Sequence, residues 1–184
     1  MDRQVTAGER DDSPQPTSST ALFKAGVVAC LPTILGYWSI GFASGAIGKV
    51  AGFSPLDVTL LSGLLYAGSA QFLFYSLYAA GAGVLGIVAG VLLINLRHIL
   101  MSSYMAMYFS RSTAMQKFIG GSLLTDETFA VAAQYGNRHG DLPFAWLLGL
   151  NVTAWLNWIV ANLCGALLAT ALPESTLVPE CRLS

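Results

Sequence analysis

The chain has 184 residues, 54% of them hydrophobic and only 10% charged, with a formal net charge of −1. A soluble domain carries about 25% charged residues, so this composition excludes a water-facing globule. No basic stripe is present to neutralise phosphates, which excludes a nucleic-acid partner.

The spacing of the charges gives the solvent. Lys24 and Lys49 bracket one uncharged run, Asp57 and Arg97 another, Asp141 and Glu174 a third. Each is at least as long as the roughly 20 residues that carry a helix across about 30 Å of hydrocarbon. The expected fold is all-α: a polytopic transmembrane helix bundle of four to five hydrophobic segments, some kinked or broken. Cys30 and Cys164 fall in apolar runs and Cys181 in the tail. Neither disulfide nor zinc spacing is present, and all three read as small buried hydrophobes. No metal or cofactor is expected.

Residues 1–20 are polar, hold Pro14 and Pro16, and lack apolar periodicity. They are expected to form a disordered tail, because nothing in them offsets the entropy of ordering. The first apolar run is too long and too far into the chain for a cleaved signal peptide. Residues 22–48 form the first expected span. Pro32 removes one helical hydrogen bond and should kink it, and Gly36, Gly41 and Gly45 expose backbone for close helix packing.

Ser54-Pro55 has the form of a helix cap and first helical position, opening a second span expected over residues 55–80. Its centre, Tyr66-Ala67-Gly68-Ser69-Ala70-Gln71-Phe72, groups small residues beside a glutamine and reads as a locally opened or tightly packed point. Gly81-Ala82-Gly83 must turn the chain, since residues 58–96 as one helix would reach roughly 58 Å, nearly twice the bilayer core. A third segment follows over residues 84–109, either unbroken or interrupted near Asn95. It carries Asn95, Arg97 and His98 in its middle, where an ionisable group costs roughly 2.5–3.5 kcal/mol to insert.

A polar link carries Arg111 and Lys117 and leads to residues 118–136. There Thr125 is a good N-cap, and Asp126 and Glu127 suit the first turn of a helix. A half-helix is expected from Asp126 to about Tyr135, the device by which discontinuous helices meet charged solutes at depth. Residues 136–141 read as a loop with an exposed His139. Residues 142–172 form the last segment, with Trp146 as an interfacial anchor and Asn157 and Asn162 as helix glue. Residues 173–184 are polar and out of pattern, and residues 21–172 form the membrane domain. Lysines and arginines are spread too evenly to orient the chain.

Seven intramembrane polar residues stand out as candidate substrate-binding or coupling groups: Ser69, Gln71, Asn95, Arg97, His98, Asp126 and Glu127. Arg97 paired with Asp126 or Glu127 would neutralise both in low dielectric. Such a site could receive a zwitterion, with an acid on its ammonium and Arg97 or a helix N-terminus on its carboxylate. His98 titrates near neutrality and could couple a proton. Gly68-Ser69 with His98 also fits the residue types of an intramembrane serine hydrolase. Ala67 and Ala70 stand where that motif needs glycines, so an enzyme is not expected. A non-transporting membrane subunit is the remaining alternative.

At these residues the chain resembles the AzlC family of branched-chain amino-acid permeases. The matching pieces are Leu31-Pro32-Thr33, Gly36-Tyr37, Gly41-Phe42-Ala43-Ser44-Gly45, Gly52-Phe53-Ser54-Pro55 and Tyr66 to Phe72. They continue with Asn95-Leu96-Arg97-His98-Ile99-Leu100-Met101-Ser102 and Leu124-Thr125-Asp126-Glu127-Thr128-Phe129-Ala130. The resemblance implies proton-coupled export of hydrophobic amino acids such as valine across an inner or plasma membrane. It also implies a small AzlD-type membrane subunit as partner, with a homo-oligomer possible. Family members continue for two or more further hydrophobic segments, so the membrane domain is expected to be incomplete at its C-terminal end.

Overall fold

The computed structural model describes residues 18–109 and 112–171. The described residues form seven α-helices: α1 Ser19–Val50, α2 Pro55–Leu65, α3 Gly68–Ala79, α4 Val84–Met105, α5 Ala114–Ser122, α6 Asp126–His139 and α7 Phe144–Ala171. A 3-10 turn, Ala106–Tyr108, extends α4. The all-α expectation holds. The tail expected over residues 1–20 gives way earlier, because Ser18 caps α1 by accepting from the Ala21 N–H, so the helix starts at Ser19. Residues 1–17, 110–111 (Arg111 among them) and 172–184 (Cys181 among them) lie outside the described residues.

Among the described residues three helices are long and apolar enough to cross a membrane: α1, α4 with its 3-10 turn, and α7. α1 and α7 run side by side in the same direction. A Cβ placed on Gly26 would meet the Trp146 carbonyl, and one on Gly45 the Asn162 carbonyl. Reciprocally, Gly149 sits against the Phe23 carbonyl and Gly165 against that of Phe42. Glycine lets the two backbones touch, the means by which membrane helices associate where burial of apolar surface gives no drive. Gly41 belongs to this seam, packed on Ala161 and Trp158, whereas Gly36, expected to do the same, faces open space. α1 continues as helix through Pro32.

The second expected span is a hairpin. α2 and α3 have 11 and 12 residues, or about 16–18 Å each, half the hydrocarbon thickness. Val58 near the start of α2 and Tyr75 near the end of α3 both lie against Gly48, at the C-terminal end of α1. Phe53, just after α1, packs its ring at a tilt against those of Phe74, Tyr75 and Tyr78. The chain therefore enters and leaves on one side. Its tip is Tyr66-Ala67, where Tyr66 takes a left-handed backbone (φ 36°) that stops α2 and reverses the chain. At the entry Ser54 and Asp57 form a reciprocal capping box ahead of Pro55, as the sequence suggests.

α5 and α6 form a second hairpin from the opposite side. Gly136 packs on the Tyr108 ring, Asn137 accepts from the Tyr108 hydroxyl, and the Leu142 N–H donates to the Tyr108 carbonyl. At the other arm Gly120 faces Phe109 and Leu147. Residues 118–136 are thus two helices, α5 starting earlier than expected, at a capping box of Thr113 and Gln116. α6 runs on through Gly136 to His139, so the expected loop is its last turn, and His139 stacks on Tyr135 instead of standing exposed. The other face of Tyr135 stacks on Trp146, which is 3% exposed and a core residue, not an interfacial anchor. Cys30 is buried and Cys164 half-buried.

α4 joins the two hairpins. It is unbroken at Asn95 and runs antiparallel to α3, with Gly90 on Leu73 and Leu77, and Arg97 on Ser69. Its outer face, including Leu85, Leu92, Leu93, Ile99 and Leu100, is exposed, as a lipid-facing helix requires. The result is three crossings and two hairpins that meet tip to tip at mid-length of the long helices.

Candidate functional site

The two hairpin tips enclose a cavity of about 300 Å³, at the small end of the range of about 300–1,000 Å³ usual for ligand sites. Hairpin one contributes Tyr66, Ala67, Gly68, Ser69 and Phe72; hairpin two contributes Thr125, Asp126 and Glu127. Tyr37 and Ile40 of α1, Arg97 and His98 of α4 and Trp158 of α7 complete the wall.

Both tips place a helix N-terminus at the cavity. α3 starts at Gly68 and runs toward one membrane side, α6 starts at Asp126 and runs toward the other, so two positive dipole ends converge there. Their caps differ. Ala67 gives α3 no side-chain cap. Thr125 caps α6 by exchanging hydrogen bonds with Thr128, and Asp126 and Glu127 occupy its first turn. The Thr125 hydroxyl also shares a hydrogen bond with Tyr37, tying this tip to α1.

Arg97 bridges the tips. One terminal amino group pairs with Asp126 at 2.5 Å, the other donates to Ser69 Oγ at 2.7 Å. The planar fork of a guanidinium reaches two differently placed acceptors at once, which an ammonium on a single stem does not. The pair keeps side-chain exposures of 35% for Arg97 and 52% for Asp126, so it is accessible from the cavity. Glu127 has no cationic partner among the described residues. His98 reaches the cavity wall, and its Nε2 has no hydrogen-bond partner among the described residues. Ser69 is bonded to Arg97 and not to His98, which is not a nucleophile–base arrangement.

Five of the seven residues expected at a site therefore line one cavity: Ser69, Arg97, His98, Asp126 and Glu127. Asn95 does not border it, and its Oδ1 is buried without a partner among the described residues. Gln71 lies behind the wall, fully buried, bonded to Ser62, Tyr75, Asn162 and Trp158. Asn162 thus does join helices, whereas the Asn157 Nδ2 has no partner among the described residues. Tyr37, Ile40, Tyr66, Ala67, Gly68, Phe72, Thr125 and Trp158 are the wall residues that sequence reasoning did not put forward as substrate-binding groups. Thr125 was read as a helix cap, and Tyr66, Ala67, Gly68 and Phe72 belong to the stretch read as a locally opened or tightly packed point. For Tyr37, Ile40 and Trp158 the sequence carries no signal, such residues in an apolar run being ordinary core.

Comparison with known proteins places the chain in a family. The AzlC protein family model matches residues 32–172. The chain is 30% identical over 156 residues to the inner membrane protein YgaZ of Escherichia coli, covering 84% of this chain and 64% of that one. It is 30% identical over 155 residues to an uncharacterized membrane protein of Archaeoglobus fulgidus, covering 84% and 66%, and 26% identical over 148 residues to one of Helicobacter pylori, covering 80% and 64%. The chain spans about two thirds of the length of these relatives. No solved structure matches it. The family match takes in both hairpins, α4 and all of α7, and the chain is a multi-pass membrane protein of the AzlC family.

Proposed function

We propose that the chain forms the core of a transporter that exports branched-chain amino acids such as valine across an inner or plasma membrane. It would draw on the proton gradient and work with a small AzlD-type membrane subunit. The observation that carries this reading is the cavity between the hairpin tips, where Arg97 holds Asp126 and Ser69 while Glu127 has no cationic partner among the described residues.

A zwitterion suits those groups. Its carboxylate can exchange with Asp126 on Arg97, helped by the positive ends of α3 and α6. Its ammonium then finds Glu127 and the released Asp126. An apolar side chain meets Ile40, Phe72 and Trp158. Binding thus replaces one charge pairing by others without leaving an isolated charge in low dielectric. His98, next to Arg97 on the cavity wall, would exchange a proton during the cycle.

The test is efflux of labelled valine from proteoliposomes that contain the chain together with its small partner subunit. Efflux above that of empty liposomes, raised by an imposed proton gradient, is the expected result. No efflux with both subunits present overturns the proposal. Efflux that survives Arg97→Ala overturns the assignment of the site.

A further inference from the structure

We infer that Trp158 is the wall that sets the size of the substrate side chain, and that Gln71 is the positioning residue that fixes it. The inference rests on the transport reading above and goes beyond it by naming the groups that select among amino acids. Trp158 borders the cavity yet is only 3% exposed. A Cβ on Gly68, at the tip of hairpin one, would lie 3.3 Å from its ring, and one on Gly41 of α1 also 3.3 Å. The absence of side chains at these two glycines makes the slot in which the indole lies. Tyr37 meets the ring edge-on, with centroids 6.3 Å apart.

The indole N–H donates to Gln71 Oε1 at 3.1 Å. It is a donor only, so the amide must turn its oxygen toward it. On the other side Gln71 Nε2 faces Asn162 Oδ1 at 3.0 Å, Ser62 Oγ at 2.9 Å and the Tyr75 hydroxyl at 2.9 Å. Asn162 Oδ1 accepts only, and Ser62 already gives its proton to the Val58 carbonyl. Reversing the amide would set two donors and two acceptors face to face, so one orientation is permitted. Asn162 in turn donates to the Trp158 carbonyl at 3.0 Å. Gln71 is therefore locked from behind by both arms of hairpin one and by α7, and it passes that order to a ring on the cavity side.

The experiment compares export of valine and phenylalanine by the unmodified chain, Gln71→Leu, Trp158→Phe and the double variant, each reconstituted with the partner subunit. A Gln71→Leu change releases the indole, and the valine-to-phenylalanine ratio should fall by about tenfold, the scale on which apolar pockets discriminate. In the Trp158→Phe background no N–H needs the amide, and Gln71→Leu should leave the ratio unchanged. An equal loss for both substrates, or a ratio change that persists without Trp158, overturns the inference. Should Gln71→Leu not fold, Gly68→Ala presses a methyl on the same ring, and an unchanged ratio there overturns it too. Fluorine NMR of 5-fluorotryptophan-labelled protein gives an arm independent of transport, with the Trp158 resonance identified by its loss in Trp158→Phe. Gln71→Leu should move that resonance and leave Trp38 in place; no movement overturns the positioning role even if the unmodified chain exports nothing, which would separately overturn the transport reading.

Discussion

Arg97 uses its two terminal amino groups on two different hairpins, Asp126 on one and Ser69 on the other. Replacing it by lysine keeps the charge and gives up the fork. Arg97→Lys is therefore expected to retain the fold and lose at least about tenfold in valine efflux, since a point charge cannot hold both tips. Arg97→Ala also leaves Asp126 with no cation to pair with. The pair is partly exposed, so the stability loss should fall between the limits for exposed and buried pairs, about 1–3 kcal/mol, read from thermal unfolding in detergent. A double-mutant cycle with Asp126→Asn isolates the pair, and a coupling near zero would show that the two charges stand near each other without acting on each other. This pairing was legible in sequence because both charges sit where charge is costly. The role of Gln71 was not, because an amide near a cavity and an amide one layer behind it look alike until the partners are known.

Among the elements, the start of α6 was legible, since Thr125-Asp126-Glu127 is a cap followed by acids, and the Ser54 cap ahead of Pro55 was equally plain, though the reciprocal bond with Asp57 was not. The hairpins were not. Residues 55–79 have the length and apolarity of a span, and the reversal depends on the left-handed Tyr66, a conformation that composition does not announce in a non-glycine residue. The glycines of α1 divide in the same way: their spacing suggested one seam, yet Gly45 touches the α7 backbone and Gly36 touches nothing. Their substitutions should separate sharply. Gly45→Val must push Asn162 and its helix away, with a loss of about 3 kcal/mol or more, or failure to fold. Gly36→Ala meets open space and should be neutral or stabilising by up to about 1 kcal/mol, the helix-propensity difference. Thermal unfolding of the two variants side by side checks this, and equal effects would mean that the α1–α7 seam is not as close as described.

For the molecule as a whole, the consequence of two hairpins is a topology with a testable handedness of sides. If residues 55–79 crossed the membrane, Ala51 and Ala82 would lie on opposite faces. The packing of Phe53 against Phe74, Tyr75 and Tyr78 instead brings the beginning and end of hairpin one to the same face. α4 then crosses once, hairpin two returns to its own side at Tyr108, and Asp141 belongs to that opposite face. In a background with Cys30, Cys164 and Cys181 changed to serine, single cysteines at Ala51, Ala82 and Asp141 can be probed in sealed vesicles with a membrane-impermeant maleimide. Ala51→Cys and Ala82→Cys should label together from one face, and Asp141→Cys only from the other. Labelling of Ala51→Cys and Ala82→Cys from opposite faces would restore the spanning reading and separate the α3 and α6 tips. It would remove the common site, since Arg97 reaches Ser69 and Asp126 together only because the two hairpins enter from opposite sides and stop halfway.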